Sequence, residues 1–422
     1  MSAMSELRHA VGSGEASILD EVPSVTGVVL WQKWRHLRDW ITALPDAQTG
    51  LFHEAVAPWV LNKWAEARLA DPTIAPALIV LDDWVRSPET SPRAPLAEAC
   101  QHIAQWAQER GYGETAALFA ETAAQLLPQD PTRAILAGKL ARSAGQMARA
   151  ERWFYTSIEV ARKHGRWEEY IRGHLGLGIL FMLTKKDVRA REHFSAAATK
   201  AIWTGYEWLA AEAQHDLFQF MTVRGHYAVA EAHARRALSS YPKHHPRVPF
   251  LAADVAYLLI CRQRYTQAIE LLRRFLRIVH SPPDNVLGLS MLVRALGAAG
   301  HERKFLRMRR RLLSVELAAT PFEAAALWHL AEAERAMQDW QPAAEHARVA
   351  LELALAEHDL ETAQLAGETL SRVEVHSPVE PEPARDDPQV SELVAQLVTR
   401  LTEWAPTKRG RPRRRSHEDW SR

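Results

Sequence analysis

From about Gly111 to Val375 the apolar positions recur at three- and four-residue spacing, the signature of helices that each bury one face. A longer period runs through the same stretch. Small residues stand at Ala116, Ala150, Ala190, Ala230, Ala268 and Ala343, with Phe305 in the slot between the last two, at intervals of roughly 34 to 40 residues. Four positions after most of these anchors an apolar residue follows on the same face: Phe154, Phe194, Ala234, Leu272 and Ala347. Twelve positions before them the preceding helix offers Gly138, Gly178, Ala256 and Ala331. Small side chains at matching places let two helices cross closely, so the unit is a helical hairpin. Pro128 and Pro242, twelve residues after their anchors, end those helices because proline cannot continue the hydrogen-bond ladder.

Gly145 to Ala150, Gly225 to Ala230 and Gln263 to Ala268 show the unit's start, a turn residue followed by the first turn of a helix carrying its anchor. On these residues the chain resembles the tetratricopeptide repeat family, in the variety with lengthened helices; the tryptophan that family carries early in each first helix is mostly missing. The resemblance implies an all-α, right-handed superhelical solenoid of about seven hairpins over residues 96–375, preceded by a helical domain. It also implies an inner groove lined by the first helices. Counted by offset from the anchors, the groove candidates are Lys139, Arg142, Arg172, Glu212, His215, Gln219, Tyr257, Trp328, Glu332 and Arg335. Their mixed signs do not match the basic clamp that some members use for chaperone tails. One hairpin departs from the pattern: Arg309 falls in the middle of an apolar face with Phe305, Leu306 and Leu313, while Arg303, Lys304, Arg307, Arg310 and Arg311 take the solvated side. Arg309 reaches water or a carboxylate, or it belongs to an anion site, or the repeat register shifts at this hairpin.

Outside the repeats the chain divides further. Residues 1–24 are small, polar and glycine-bearing, and read as disordered. Residues 25–95 are rich in tryptophan. Leu30, Trp34, Leu37, Ile41 and Leu44 share a helical face, with Lys33, Arg35 and Arg38 largely outside it. This pattern fits the core of a small helical domain closing the first hairpin; tryptophan with arginine also suits a stacking surface. A proline-studded connector over 86–95 leads into the hairpins. Leu360 to Val375 then makes a lone closing helix, and the acidic, proline-rich 376–388 a stiff solvated linker. In 389–405, Val390, Leu393, Val394, Leu397, Leu401 and Trp404 form one apolar stripe. A helix this short is marginal alone, so it must dock on the solenoid, pair with a second copy or order on a partner.

Of 422 residues 47% are hydrophobic and the formal net charge is +1, so the whole molecule is no bulk binder of polyanions. Cys100 and Cys261 each sit in an apolar pattern and read as core thiols, with neither a disulfide framework nor a zinc site indicated. With no apolar signal core at the N-terminus and no run long enough to span a bilayer, the expected location is the cytoplasm.

Signals for catalysis are sparse. No phosphate-cradling glycine loop is present. His53-Glu54 lacks a second histidine, Asp82-Asp83 lacks a matching pair, and Lys243-His244-His245 between two prolines reads as a turn. No cofactor, metal or catalytic residue is expected. The tail, residues 406–422, differs: Lys408, Arg409, Gly410, Arg411, Pro412, Arg413, Arg414 and Arg415 form a dense cationic run. Its Arg-Gly-Arg-Pro resembles an AT-hook. That resemblance implies Arg409 and Arg411 in an A·T minor groove, with Lys408 and Arg413 to Arg415 on phosphates. Three function classes follow: a non-catalytic scaffold taking a protein or peptide partner in its groove, a regulator whose tail contacts DNA or RNA, and, third, an enzyme or metal protein.

Overall fold

The computed structural model describes residues 17–22, 24–43, 58–88, 91–357, 359–380 and 388–404. Among these, regular structure is helical throughout, with no strand. The chain forms two compact units, Met1–Leu209 and Ala210–Arg422.

The first unit opens with α1 (Ser17–Glu21), α2 (Val25–Thr42), α3 (Pro58–Ala70) and α4 (Ala75–Arg86). Three hairpins follow: α5 (Arg93–Glu109) with α6 (Gly113–Leu126), α7 (Pro131–Ser143) with α8 (Met147–Lys163), and α9 (Trp167–Leu183) with α10 (Asp187–Thr204). Asp130 shows how such a helix is started. Its carboxylate accepts from the Thr132 amide at 3.0 Å while Pro131 occupies the first helical position, where no amide is needed. Turns of three residues reverse the chain. Lys200 lies over the Trp167 ring and Arg189 over Phe181, so α9 and α10 run antiparallel. The anchors Ala116, Ala150 and Ala190 are buried. Phe154 and Phe194 pack against the glycines that the repeat pattern pairs with them: a methyl group on Gly138 would come within 2.8 Å of the Phe154 ring, and one on Gly178 within 2.5 Å of Phe194.

Two sequence expectations fail here. Residues 1–24 read as disordered, yet Ser17–Glu21 is helical, with Ile18 and Leu19 fully buried. Both Glu21 carboxylate oxygens accept from the first amides of α6, Glu114 N and Thr115 N, at 2.8 Å each, so a distant carboxylate caps that helix. Lys33 was placed outside the apolar face but is fully buried, 2.6 Å from Asp82 and over the Trp64 ring, and Asp82 also holds Arg68 at 3.0 Å. Trp31, Trp34, Trp40, Trp64 and Trp84 are buried, so the tryptophans of residues 25–95 with described side chains are core.

The second unit takes in most of α11 (Glu207–Val223), then α12 (Tyr227–Ser240), α13 (Val248–Cys261), α14 (Tyr265–Ile278), α15 (Pro282–Ala298) and α16 (Glu302–Leu313). A short 3-10 turn (Leu317–Ala319) precedes α17 (Glu323–Ala336), α18 (Trp340–Ala356), α19 (Leu360–Glu374) and α20 (Pro388–Trp404). First helices touch first helices, α15 against α17 and α17 against α19. Ala230, Ala268, Phe305 and Ala343 are buried. Arg309 has found a carboxylate: its Nε donates to Glu334 Oε1 at 2.8 Å, and His346 Nδ1 lies 2.7 Å from Glu334 Oε2. Of the three fates open to the last helix, docking is the one seen. Val390, Leu393, Val394, Leu397 and Leu401 of α20 are buried, with α14 the principal neighbour. At about 1.5–3 kcal/mol per buried aliphatic side chain, that contact outweighs the marginal intrinsic stability of a lone helix.

Candidate functional site

Trp328, Glu332 and Arg335 stand on α17 at positions i, i+4 and i+7, which aligns them on one face. Glu332 and Arg335 border a cavity of about 440 Å3 also lined by Tyr227, Cys261, Gln263, Tyr265 and Arg294. Glu332 is nearly buried and accepts from Arg335 Nε at 3.1 Å, Arg335 Nη2 at 2.9 Å and Thr369 Oγ1 at 2.8 Å, with Arg294 Nη2 at 3.6 Å. Burial by itself would raise this carboxyl, but Arg294, Arg335 and the hydrogen bonds outweigh it and hold the pKa at about 2. The Arg294 guanidinium lies 4.6 Å from the Trp328 ring, and Trp328 Nε1 donates to Thr369 Oγ1 at 3.1 Å. Tyr257 meets the edges of Trp328 and His329. His329 is held neutral by burial and by Arg294, and Cys261 is pushed up by burial. These groups are fixed in their charge states by their neighbours, and the face they make is suited to hydrogen bonding and stacking.

One wall of the cavity is the chain itself. After α19, His376 adopts a left-handed conformation (φ 49°), which turns the backbone back across α17. Arg335 Nη1 then donates to the Ser377 carbonyl at 2.8 Å, Tyr265 Oη to the Glu380 carbonyl at 3.3 Å, and Gln263 Nε2 to Glu380 Oε2 at 2.6 Å. The first part of the segment expected to be a solvated linker is therefore pinned to Arg335 of the first helix α17 and to Gln263 and Tyr265 around the start of α14, largely through its own carbonyls. Pro378 and Val379 complete the wall.

Three other candidates meet elsewhere in the second unit. Asp254 Oδ2 accepts from Gln219 Nε2 at 2.7 Å and lies 2.8 Å from His215 Nε2; His215 Nδ1 is 3.3 Å from the Tyr241 hydroxyl. Glu212 pairs with Arg247 at 3.6 Å, and Arg247 also reaches Asp216, whose carboxyl burial raises. In the first unit Lys139 is exposed, and Arg142 donates to the Gly176 carbonyl at 3.5 Å. Arg172 pairs with Glu168 at 3.0 Å and lies over Trp208. Sequence reasoning missed Arg294, Gln263, Tyr265 and the Ser377–Glu380 segment. For Arg294 the signal was present: it stands eleven residues before Phe305, the offset that Lys139, Gln219, Tyr257 and Glu332 have from their own anchors. Lys408 to Arg415 lie outside the described residues. Among the described residues no group of three or more His, Cys, Asp or Glu is placed to hold a metal ion, and no helix is long and apolar enough to cross a membrane.

Fold and site together define a helical-hairpin repeat protein with a side-chain-lined face on its first helices. No family model matches the chain, and no curated protein matches it. Among solved structures it is similar to a Rap protein complexed with competence and sporulation factor, at 9% identity over 90% of this chain and 98% of that one, with a TM-score of 0.39. It is also similar to the P58(IPK) TPR domain (14% identity, 82% and 98% covered, TM-score 0.25). A circular tandem repeat protein with novel repeat topology is a third (15%, 89% and 86%, TM-score 0.18). Scores this low carry no argument, and the class rests on the hairpins and their small-residue crossings.

Proposed function

We propose that the protein is a non-catalytic scaffold whose first-helix face around Arg294, Glu332 and Arg335 takes an extended segment of a partner protein. The observation that carries this reading is the seating of Ser377–Glu380. A stretch of backbone already lies against that face, held by Arg335 of α17 and by Tyr265 and Gln263 around the start of α14 through two carbonyls and one carboxylate. Carbonyl recognition supplies affinity for any extended chain, and the neighbouring Glu380 side chain supplies a preference for acid. In this reading the segment is a resident occupant that a partner displaces. Cys100 and Cys261 are free thiols, which fits a reducing compartment, and the cytoplasm is part of the proposal.

The test uses a fluorescein-labelled synthetic peptide with the sequence of residues 376–388 and two forms of the full chain. The form in which 377–380 is replaced by Gly-Ser repeats should bind the peptide measurably more tightly than the natural form, because its face is open. Adding Arg335→Ala and Tyr265→Phe should abolish the gain. If the open form binds no better than the natural one, the reading is wrong.

A second reading is favoured by one feature of the sequence. Six of the eight residues from Lys408 to Arg415 are Lys or Arg, which suits contact with DNA or RNA phosphates. Comparing duplex binding by the full chain and by a chain ending at Trp404 tests it, and equal binding at low salt refutes it.

A further inference from the structure

A groove lies between the second helices α14 and α16, with the first helix α15 as its floor. Two cavities, about 490 Å3 and about 360 Å3, share Arg273, Arg277 and Lys304 and so form one continuous depression. Its rims carry Arg273 and Arg277 on α14 and Lys304, Arg307 and Arg311 on α16, all exposed. Among the described residues none of these five cations has a carboxylate within ion-pair distance. The acid within the groove, Glu270, is paired with Arg274 at 3.1 Å. A merely solvated helix face scatters both signs; here, among the described residues, two facing helices carry these five cations at one-turn spacing, and the groove's one carboxylate, Glu270, is engaged by Arg274. The floor is apolar: Leu276 and Met308 are half-buried, and Leu292 and Leu296 lie beneath them.

We propose that this groove is a second interaction site, which takes an acidic amphipathic helix of a partner protein. Charge complementarity selects the acid, since five uncompensated cations repel one another until an anionic chain lies between them. The floor selects against a bare phosphodiester backbone, which has no apolar face to set on Leu276 and Met308. A helix with aliphatic residues on one side and carboxylates along both edges satisfies rims and floor together, and a flexible Met is a side chain that adapts to such a guest. The cationic rims lie on second helices and share no residue with the cavity of Arg294, Glu332 and Arg335, so the site stands independently of the function proposed above.

The probe is a fluorescein-labelled amphipathic helix of Glu, Leu and Ala, titrated by anisotropy into the full-length chain, with polyglutamate of equal length and a mixed-sequence DNA duplex as competitors. Arg277→Glu with Lys304→Glu should weaken binding at least about tenfold, because like charges then face the guest across the groove. Arg303→Glu with Arg310→Glu changes net charge equally on the outer side of α16 and should alter it less than about twofold. Arg277→Gln with Lys304→Gln provides a milder version should the reversed pair disturb folding. Polyglutamate should compete poorly. Equal loss in the two charge-reversed pairs overturns the site, and equal competition by polyglutamate overturns the role of the floor. Displacement of the probe by duplex DNA from a chain ending at Trp404 would make the groove a nucleic-acid site and refute the proposal.

Discussion

Replacing Glu332 with Gln removes one negative charge from the second-unit cavity while leaving the side chain's volume and its capacity to accept from Thr369. What is lost is the counter-charge to Arg294 and Arg335, which are only 16% and 7% exposed. Two routes give the size of the effect. The carboxyl's fall from 4.5 to about 2 corresponds to about 3 kcal/mol, at ~1.4 kcal/mol per unit. Breaking a buried ion pair by deleting one partner costs about 3–5 kcal/mol, and the residual exposure of Arg294 places this case at the lower end. Glu332→Gln should therefore destabilise the second unit by about 3 kcal/mol near neutral pH. The folded pKa lies below the unfolded one, so this contribution is complete above 4.5 and is lost as the pH falls toward 2. Urea unfolding followed by far-UV circular dichroism should show the gap between wild type and variant shrinking to roughly half by about pH 3. A gap that stays constant from neutral pH to that point would refute the electrostatic account. A gap below about 1 kcal/mol at neutral pH would refute the burial account.

Three further outcomes are expected. Gly178→Ala and Gly367→Ala gain the same helix propensity of about 1 kcal/mol, but only the former drives a methyl into Phe194, so the former should lower the unfolding midpoint and the latter raise it. Lys33→Met should change stability by less than about 1 kcal/mol or raise it, since Arg68 still neutralises Asp82. Asp82→Asn should cost about 3 kcal/mol, and denaturant titration of both variants checks the asymmetry. If the tail contacts duplex DNA, the slope of log K against log salt should be roughly 5 for five or six phosphates, and Arg409→Ala with Arg411→Ala should reduce preference for A·T-rich duplex more than affinity for mixed sequence.

The hairpins were legible because a buried crossing admits few residues, and Ala150, Ala190 and Ala268 repeat that constraint where the chain must repeat it. The turns were less legible. Lys185, Gln263 and Gln338 take the left-handed conformation that Gly145 and Gly225 take elsewhere, and tertiary packing holds them there against their own preference. Lys33 and Asp82 stand forty-nine residues apart, and a helical wheel reports which way a side chain faces without reporting what waits opposite. The same limit hid Glu21 as the cap of α6. Arg294 was obscured for another reason: Phe305 stands in place of the small anchor from which its offset is counted, and the conspicuous cation of that hairpin, Arg309, is one that Glu334 already holds.

Ser377–Glu380 is tethered at both ends, by α19 before it and by the docked α20 after it. A short tether gives such a segment an effective concentration of about 1 mM or more at its own site. If a partner competes for this face as proposed, a chain present at about 1 μM must bind some thousandfold more tightly than the resident, a margin of about 4 kcal/mol, before it holds the face half the time. On that reading, weak acidic segments at micromolar concentration are turned away by arithmetic alone. On the proposed function, the face would act as a threshold that answers to one strong partner and stays closed to many poor ones.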